Sequence, residues 1–253
     1  MLLALDVGNT NLVIGLFEGA ELKAPLRMHT DRHRTADEYG VMLKVLLHEE
    51  GYRVADLEGV AISNVVPVLG HHLASLCRRH LKCDPFFVDV EKKLAITVKT
   101  DNPHQVGADL LVAADEAYSR FGGPLVVIDM GTATTISAIN ERGEFLGATI
   151  GPGLSVSLDA FYARAPHLPR ISLEPPPLPW GTNTEHAMQA GILMGHAMMV
   201  DGLVGRMKQQ LGKARVVATG GLASSLVRQC KEIDEVEPWL VLQGVRRVWE
   251  RNR

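Results

Sequence analysis

The sequence predicts an α/β protein built twice over, as two lobes that each hold a mixed sheet flanked by helices. One ground is an internal echo. Leu3-Ala4-Leu5-Asp6-Val7-Gly8 and Val127-Ile128-Asp129-Met130-Gly131 are both apolar runs closing on Asp-x-Gly, and each is followed by hydroxyl or amide residues. A second apolar run then follows, Leu12 to Phe17 in one case and Thr135 to Ile139 in the other, ending in polar turns at Gly19 and Gly143. That is a hairpin used twice, and it opens a meander in each sheet. The other ground is the alternation of strand-like and helix-like periodicity around both hairpins.

Taken in order, Thr35 with Asp37 and Glu38 opens a helix to about Glu50, its acids suited to the helix N-terminus. Val60-Ala61-Ile62 is a strand, Pro67 to Leu81 a helix, Phe86-Phe87-Val88 a short strand, and Val106 to Arg120 a third helix. Gly122-Gly123-Pro124 is a turn signal, so the lobes are set at 1–121 and 122–253. Glu144 to Ile150 extends the second meander, and Ser155 to Arg164 is helical. Pro166, Pro169, Pro175, Pro176, Pro177 and Pro179 then exclude regular structure until a long helix begins near Thr184. A strand Arg215 to Ala218, a turn Thr219-Gly220-Gly221 and a helix from about Leu240 complete the chain.

With 253 residues, 46% hydrophobic and 22% charged, the chain can bury one large core or two modest ones, which excludes disordered and fibrous classes. A net charge of -3 supplies no basic field for a polyanion, so nucleic acid is not an expected partner. Cys77, Cys83 and Cys230 make neither a disulfide framework nor a zinc spacing, and a reducing cytoplasm is expected. Met1 to Leu5 reads as a strand rather than a leader, and without an uncharged run of about 18 apolar residues no membrane partner is expected.

The two turns carry the chemistry. A tight bend at Gly8 faces main-chain N–H groups outward, and Asn9, Thr10 and Asn11 add short donors, a combination that suits phosphate oxygens without a lysine. Asp6 can hold a cation, or its water shell, that neutralises a phosphate. Two such turns facing one another would clamp a polyphosphate in a cleft between the lobes, with Gly220 and Gly221 admitting a nucleoside. The alternative is that both are well-turned sheet corners. No GxxxxGK[ST] competes, and Gly151-Pro152-Gly153 lacks the third glycine of a dinucleotide fingerprint. Asp109, in Gly107-Ala108-Asp109 at a helix start, is either a proton acceptor for phosphoryl transfer or an acid on the helix dipole.

Other features take simpler readings. His29 and His33 fall in strand and loop, away from any metal pair. Met188, Met194, Met198, Met199 and Met207 mark a packed helix face, either core or dimer interface, and Arg246, Arg247, Arg251 and Arg253 a solvated one.

In this order, Asp6-Val7-Gly8-Asn9-Thr10-Asn11, Gly107-Ala108-Asp109, Asp129-Met130-Gly131-Thr132-Ala133-Thr134, Gly151-Pro152-Gly153, Gly181-Thr182-Asn183-Thr184 and Thr219-Gly220-Gly221 resemble the motifs of type III pantothenate kinases. The resemblance implies duplicated actin-like (ribonuclease H-like) lobes, with ATP-dependent phosphorylation of pantothenate as the first step towards coenzyme A. It implies that Asp6, Val7, Gly8, Asn9, Thr10, Asn11, Leu12 and Val13 bind ATP phosphates and that Thr132 touches ATP. Asp109 would be the proton acceptor, and Asp129 would ligate K+ or NH4+. Mg2+ would accompany ATP, with Asp6 able to reach it through water. Thr100, Gly107, Ala108, Asp109 and Leu110 would form the acceptor site, joined by Thr184 from the neighbouring subunit of a homodimer. Two positions depart from the pattern. Leu110 stands where the family has arginine, and Thr100 where it commonly has an aromatic residue; Lys99 or Arg164 could supply the missing charge. The alternatives are a non-catalytic nucleotide-binding regulator, or a kinase of the same fold acting on another small alcohol.

Overall fold

The computed structural model describes the backbone of residues 1–253 and the side chains of all but residues 224 and 225. The chain divides into two compact units. The first holds Met1–Ala95, Asp101–Glu116 and Leu240–Arg253, and the second Ile96–Thr100 and Ala117–Trp239. A single cut at 121/122 does not reproduce this division, because the last helix returns to the first unit and residues 96–100 join the second.

In the first unit, β1 (Leu2–Val7), β2 (Asn11–Glu18) and β3 (Glu21–His29) form the expected antiparallel meander. The crossover helix α1 (Ala36–Glu49) leads to β4 (Gly59–Asn64), parallel to β1. Helix α2 (Gly70–Leu76), with a π-helical turn at Cys77–Leu81, leads to β5 (Pro85–Phe87), so the sheet order is β3-β2-β1-β4-β5. Thr35 caps α1 in a reciprocal box: its hydroxyl accepts from Glu38 N–H at 3.3 Å, and the Glu38 carboxylate accepts from Thr35 N–H at 2.7 Å. Leu2 to Leu5 are all buried, which accounts for an uninterrupted apolar run where a half-exposed strand would alternate. Tyr39, Leu43 and Leu73 belong to the core of this unit.

The second unit repeats the plan. Its sheet comprises β6 (Thr97–Val98), β7 (Leu125–Met130), β8 (Ala133–Ile139), β9 (Glu144–Pro152), β10 (Arg215–Thr219) and β11 (Glu235–Val236), in the order β11-β10-β7-β8-β9-β6. Helix α3 (Ala108–Phe121), whose residues divide between the units, precedes β7, and α4 (Leu154–Arg164) follows β9. The proline-dense segment 166–179 has no helix or strand; it is tied down where Ile171 N–H donates to the Tyr162 hydroxyl at 3.0 Å. Next, α5 (Thr184–Gln189), a π-helical turn at Ala190–Met194 and α6 (Gly195–Leu211) run on as one helix. By length and composition this stretch could cross a membrane. It nevertheless carries Glu185, Asp201, Arg206 and Lys208, and it buries Leu193, Val200 and Val204 in the core of the second unit, beside half-buried Met199 and Met207. Met198 is 65% exposed, so the methionines do not all belong to the core of this unit. The short α7 (Ala223–Leu226) follows β10.

The final helix, α8 (Leu240–Arg251), overturns the expectation of a solvated arginine face. It packs on β1, β4 and β2 and lies so close to α3 that a Cβ at Gly244 would overlap the Val112 carbonyl. Arg247 therefore reaches Glu116, and Arg251 Nη1 donates to both Asp115 oxygens at 2.7 and 2.9 Å. Arg246 is only 8% exposed. Asp115 is fully buried and also accepts from Ala95 N–H; burial pushes its carboxyl up, against the pull of Arg251.

Candidate active site

In the first unit the turn after β1 closes where Gly8 N–H donates to the Asn11 carbonyl at 3.0 Å. A Cβ at Gly8 would sit 3.1 Å from that oxygen, a tight contact that the bend would have to ease by a few tenths of an ångström. The structure gathers Asp6, Val7, Gly8, Asn9, Thr10, Asn11, Leu12 and Val13 into one strand–turn–strand. Val7 and Leu12 point into the core, which leaves them only main-chain groups to offer a ligand. Asn9 and Thr10 are exposed. In register beside Asp6, on the parallel strand β4, stands Ser63, whose buried hydroxyl has no hydrogen-bond partner among the described residues. The segment after β3 lies against the same turn: Thr30 N–H donates to the Thr10 carbonyl at 2.9 Å, and Arg32 Nη2 donates to Asn9 Oδ1 at 2.8 Å. The sequence reading did not include Arg32. The contact spans 23 positions, and no local pattern announces it.

Also in the first unit, Gly107, Ala108, Asp109 and Leu110 form the entry to α3. Asp109 Oδ1 accepts from Leu110 N–H at 2.7 Å, and a Cβ at Gly107 would collide with that same oxygen, which explains the glycine two places earlier. Burial pushes the Asp109 carboxyl above the usual carboxylate range, while the Leu110 N–H pulls the other way. A half-buried carboxylate with a raised pKa is chemically able to accept a proton.

In the second unit the matching turn is tighter, with Gly131 N–H donating to the Ala133 carbonyl at 3.0 Å. Asp129 stands in register beside Thr219 of the parallel strand β10, as Asp6 does beside Ser63. Gly220 has a φ of +98°, and a Cβ there would lie 2.5 Å from Asp129 Oδ1 and 2.6 Å from Met130 N and O. Gly153 presses equally close to the Gly131 and Thr132 carbonyls and donates its N–H to the latter at 3.0 Å. Carboxylate and carbonyl oxygens thus crowd this turn. Such hard oxygen donors suit K+ or NH4+, and among the described residues no cluster of three His, Cys, Asp or Glu offers a side-chain cage instead. Behind the turn, the buried Thr134 hydroxyl pairs with His196 Nε2 at 3.0 Å, and burial holds the imidazole pKa down, favouring its neutral form. His196 was also missed by the sequence reading.

Thr100, in the second unit, has a buried hydroxyl with no hydrogen-bond partner among the described residues. Thr184 starts α5, where the Asn183 side chain accepts from His186 N–H at 2.9 Å and a Cβ at Gly181 would run into the Ala187 backbone. Thr184 lines an apolar groove of about 740 Å³ with Phe161, Arg164, Leu168 and Met188. Arg164, but not Lys99, is therefore placed with Thr184.

Known proteins resemble this chain in both sequence and fold. A family model described as type III pantothenate kinase matches residues 2–206. A type III pantothenate kinase of Moorella thermoacetica is 46% identical over 253 residues, covering all of both chains. Among solved structures, the activator of 2-hydroxyisocaproyl-CoA dehydratase from Clostridium difficile, with bound ADPNP, aligns over 98% of this chain and 96% of its own, at a TM-score of 0.60 and 14% identity. Component A of the (R)-2-hydroxyglutaryl-CoA dehydratase of Acidaminococcus fermentans aligns over 98% of each chain, at 0.55 and 14%. These two structures speak for the fold, the actin-like ATPase architecture of paired mixed sheets. Matched over most of its length by the family model and over its whole length by a curated relative, the chain belongs to the type III pantothenate kinases.

Proposed function

We propose that this pantothenate kinase moves the γ-phosphoryl group of ATP to the terminal hydroxyl of pantothenate, with Asp109 accepting the hydroxyl proton, to give 4′-phosphopantothenate and ADP in the cytoplasm. The observation that carries this is the Asp109 carboxylate, half-buried at the head of α3 with its pKa raised by desolvation. The Asp6–Val13 strand–turn–strand, with Asn9 and Thr10 exposed at its bend, holds ATP phosphates, and Thr132 is a further ATP contact. Asp6 fits a water-mediated approach to Mg2+, which when bound neutralises phosphate charge. Asp129 and the neighbouring main-chain oxygens fit the monovalent cation.

Thr100, Gly107, Ala108 and Leu110 line the acceptor site on this reading, with Thr184 contributed by the second subunit of a homodimer. Leu110 brings no charge to the acceptor carboxylate, and Arg164, on the same groove as Thr184, supplies it. Leu110 also keeps another small alcohol in view as the acceptor. Purified protein given ATP, magnesium, potassium and pantothenate is expected to release 4′-phosphopantothenate. Normal ATP binding with no product would reject the acceptor assignment, and turnover on a different alcohol would replace it.

A further inference from the structure

A triphosphate brings about four negative charges, yet the first turn offers it neutral donors and the carboxylate of Asp6. Amides alone can cradle phosphate. A guanidinium nearby would do more, because a hydrogen bond to an ionised partner is about twice as strong as one joining neutral groups.

Such a group already stands at the turn. Arg32 Nη2 donates to Asn9 Oδ1 at 2.8 Å, both residues are exposed, and among the described residues Arg32 makes no ion pair. The segment bearing it is held in place by its own hydrogen bonds. Thr30 N–H is bonded to Thr10, and Asp31 N–H donates to the Tyr39 hydroxyl at 2.8 Å. That hydroxyl returns a bond to the Asp31 carbonyl at 2.9 Å, and His33 N–H closes onto Asp31 Oδ1 at 2.9 Å. Tyr39 is fully buried in α1, and the Arg34 guanidinium lies 5.3 Å from its ring centroid. The nearby acids are engaged elsewhere: Asp31 by His33, and Glu38 by the Thr35 amide and hydroxyl. The Ser63 and Thr30 hydroxyls, buried at the same end of the sheet, have no hydrogen-bond partner among the described residues.

The geometry points to Arg32 as a direct ligand of the ATP polyphosphate. On nucleotide binding its guanidinium exchanges the neutral Asn9 amide oxygen for phosphate oxygens, and it remains there to balance charge as ADP is formed. This rests on the phosphate reading of the Asp6–Val13 turn. Asn9 holds the arm ready in the absence of nucleotide, which lowers the entropy cost of ordering a long side chain.

The test is direct calorimetric binding of ATP and of adenosine to the wild-type protein, Arg32→Gln and Arg32→Lys, with melting temperatures measured alongside. The expected result is about tenfold weaker ATP binding by Arg32→Gln, part of it restored in Arg32→Lys, with adenosine affinity and melting temperature unchanged. Equal ATP affinity in wild type and Arg32→Gln would overturn the role of Arg32 and leave the turn's phosphate reading intact. Equal weakening of ATP and adenosine would show a merely structural effect and also overturn it. Failure of the wild type to bind ATP would remove the phosphate reading and this inference together.

Discussion

The two Asp-x-Gly turns share a frame and differ in their surroundings. Each aspartate ends an inner strand, pairs antiparallel with the next strand, and faces a hydroxyl residue on a parallel neighbour, Ser63 for Asp6 and Thr219 for Asp129. The first turn is one residue longer, exposes Asn9 and Thr10, and has Arg32 at its rim. The second is packed against Gly153 and Gly220, whose missing side chains let carbonyl and carboxylate oxygens converge. On the reading proposed above, one hairpin used twice serves opposite electrostatic ends: donors and a cation for phosphate in the first unit, oxygen acceptors for a monovalent cation in the second.

The largest effect is expected from Asp109→Asn, which leaves both turns untouched and removes the proposed proton acceptor. A rate loss of about 10²–10⁴-fold is expected, with ATP affinity preserved. The pH dependence follows from the raised pKa of Asp109. If activity needs the carboxylate, the wild-type rate falls as pH drops through that raised value, where an ordinary aspartate would still be ionised, and the asparagine variant lacks this limb. Stability runs the other way. A folded-state pKa above the unfolded one favours folding at low pH, and that advantage is lost as pH rises through the folded value. Asp109→Asn should therefore melt at or above the wild-type temperature at neutral pH, and a large destabilisation would contradict the burial argument.

A smaller effect is expected where the first unit anchors α3. Arg251→Met leaves the buried Asp115 without its two-point partner and should cost about 3 kcal/mol, read as a fall in the denaturation midpoint. Adding Asp115→Asn should return part of that loss, because a buried amide needs no counter-ion. A single variant as stable as wild type would show that α8 contributes packing without charge pairing.

How much of this was legible in the sequence depended on range. The hairpins showed through because strand alternation, Asp-x-Gly and polar turns are local signals, and Thr35 with Glu38 marked its helix start for the same reason. Strand β3 was harder to see, since it is an edge strand with charged residues and Pro25. β6 and β11, at two residues each, have no period to detect. The arginines of α8 were misread because their partners, Asp115 and Glu116, lie more than a hundred positions away. Arg32 and His196 escaped for a related reason. Each serves a turn through a side-chain contact made by the fold, 23 positions off in one case and 62 in the other.

The division of labour is tested most directly by titrating potassium into Asp129→Ala and wild-type enzyme at saturating ATP and magnesium. If the second turn is the cation site, wild-type activity rises with potassium, while the variant keeps only a low rate that potassium no longer stimulates. A variant with the same potassium dependence as wild type would contradict the account, whatever its absolute rate.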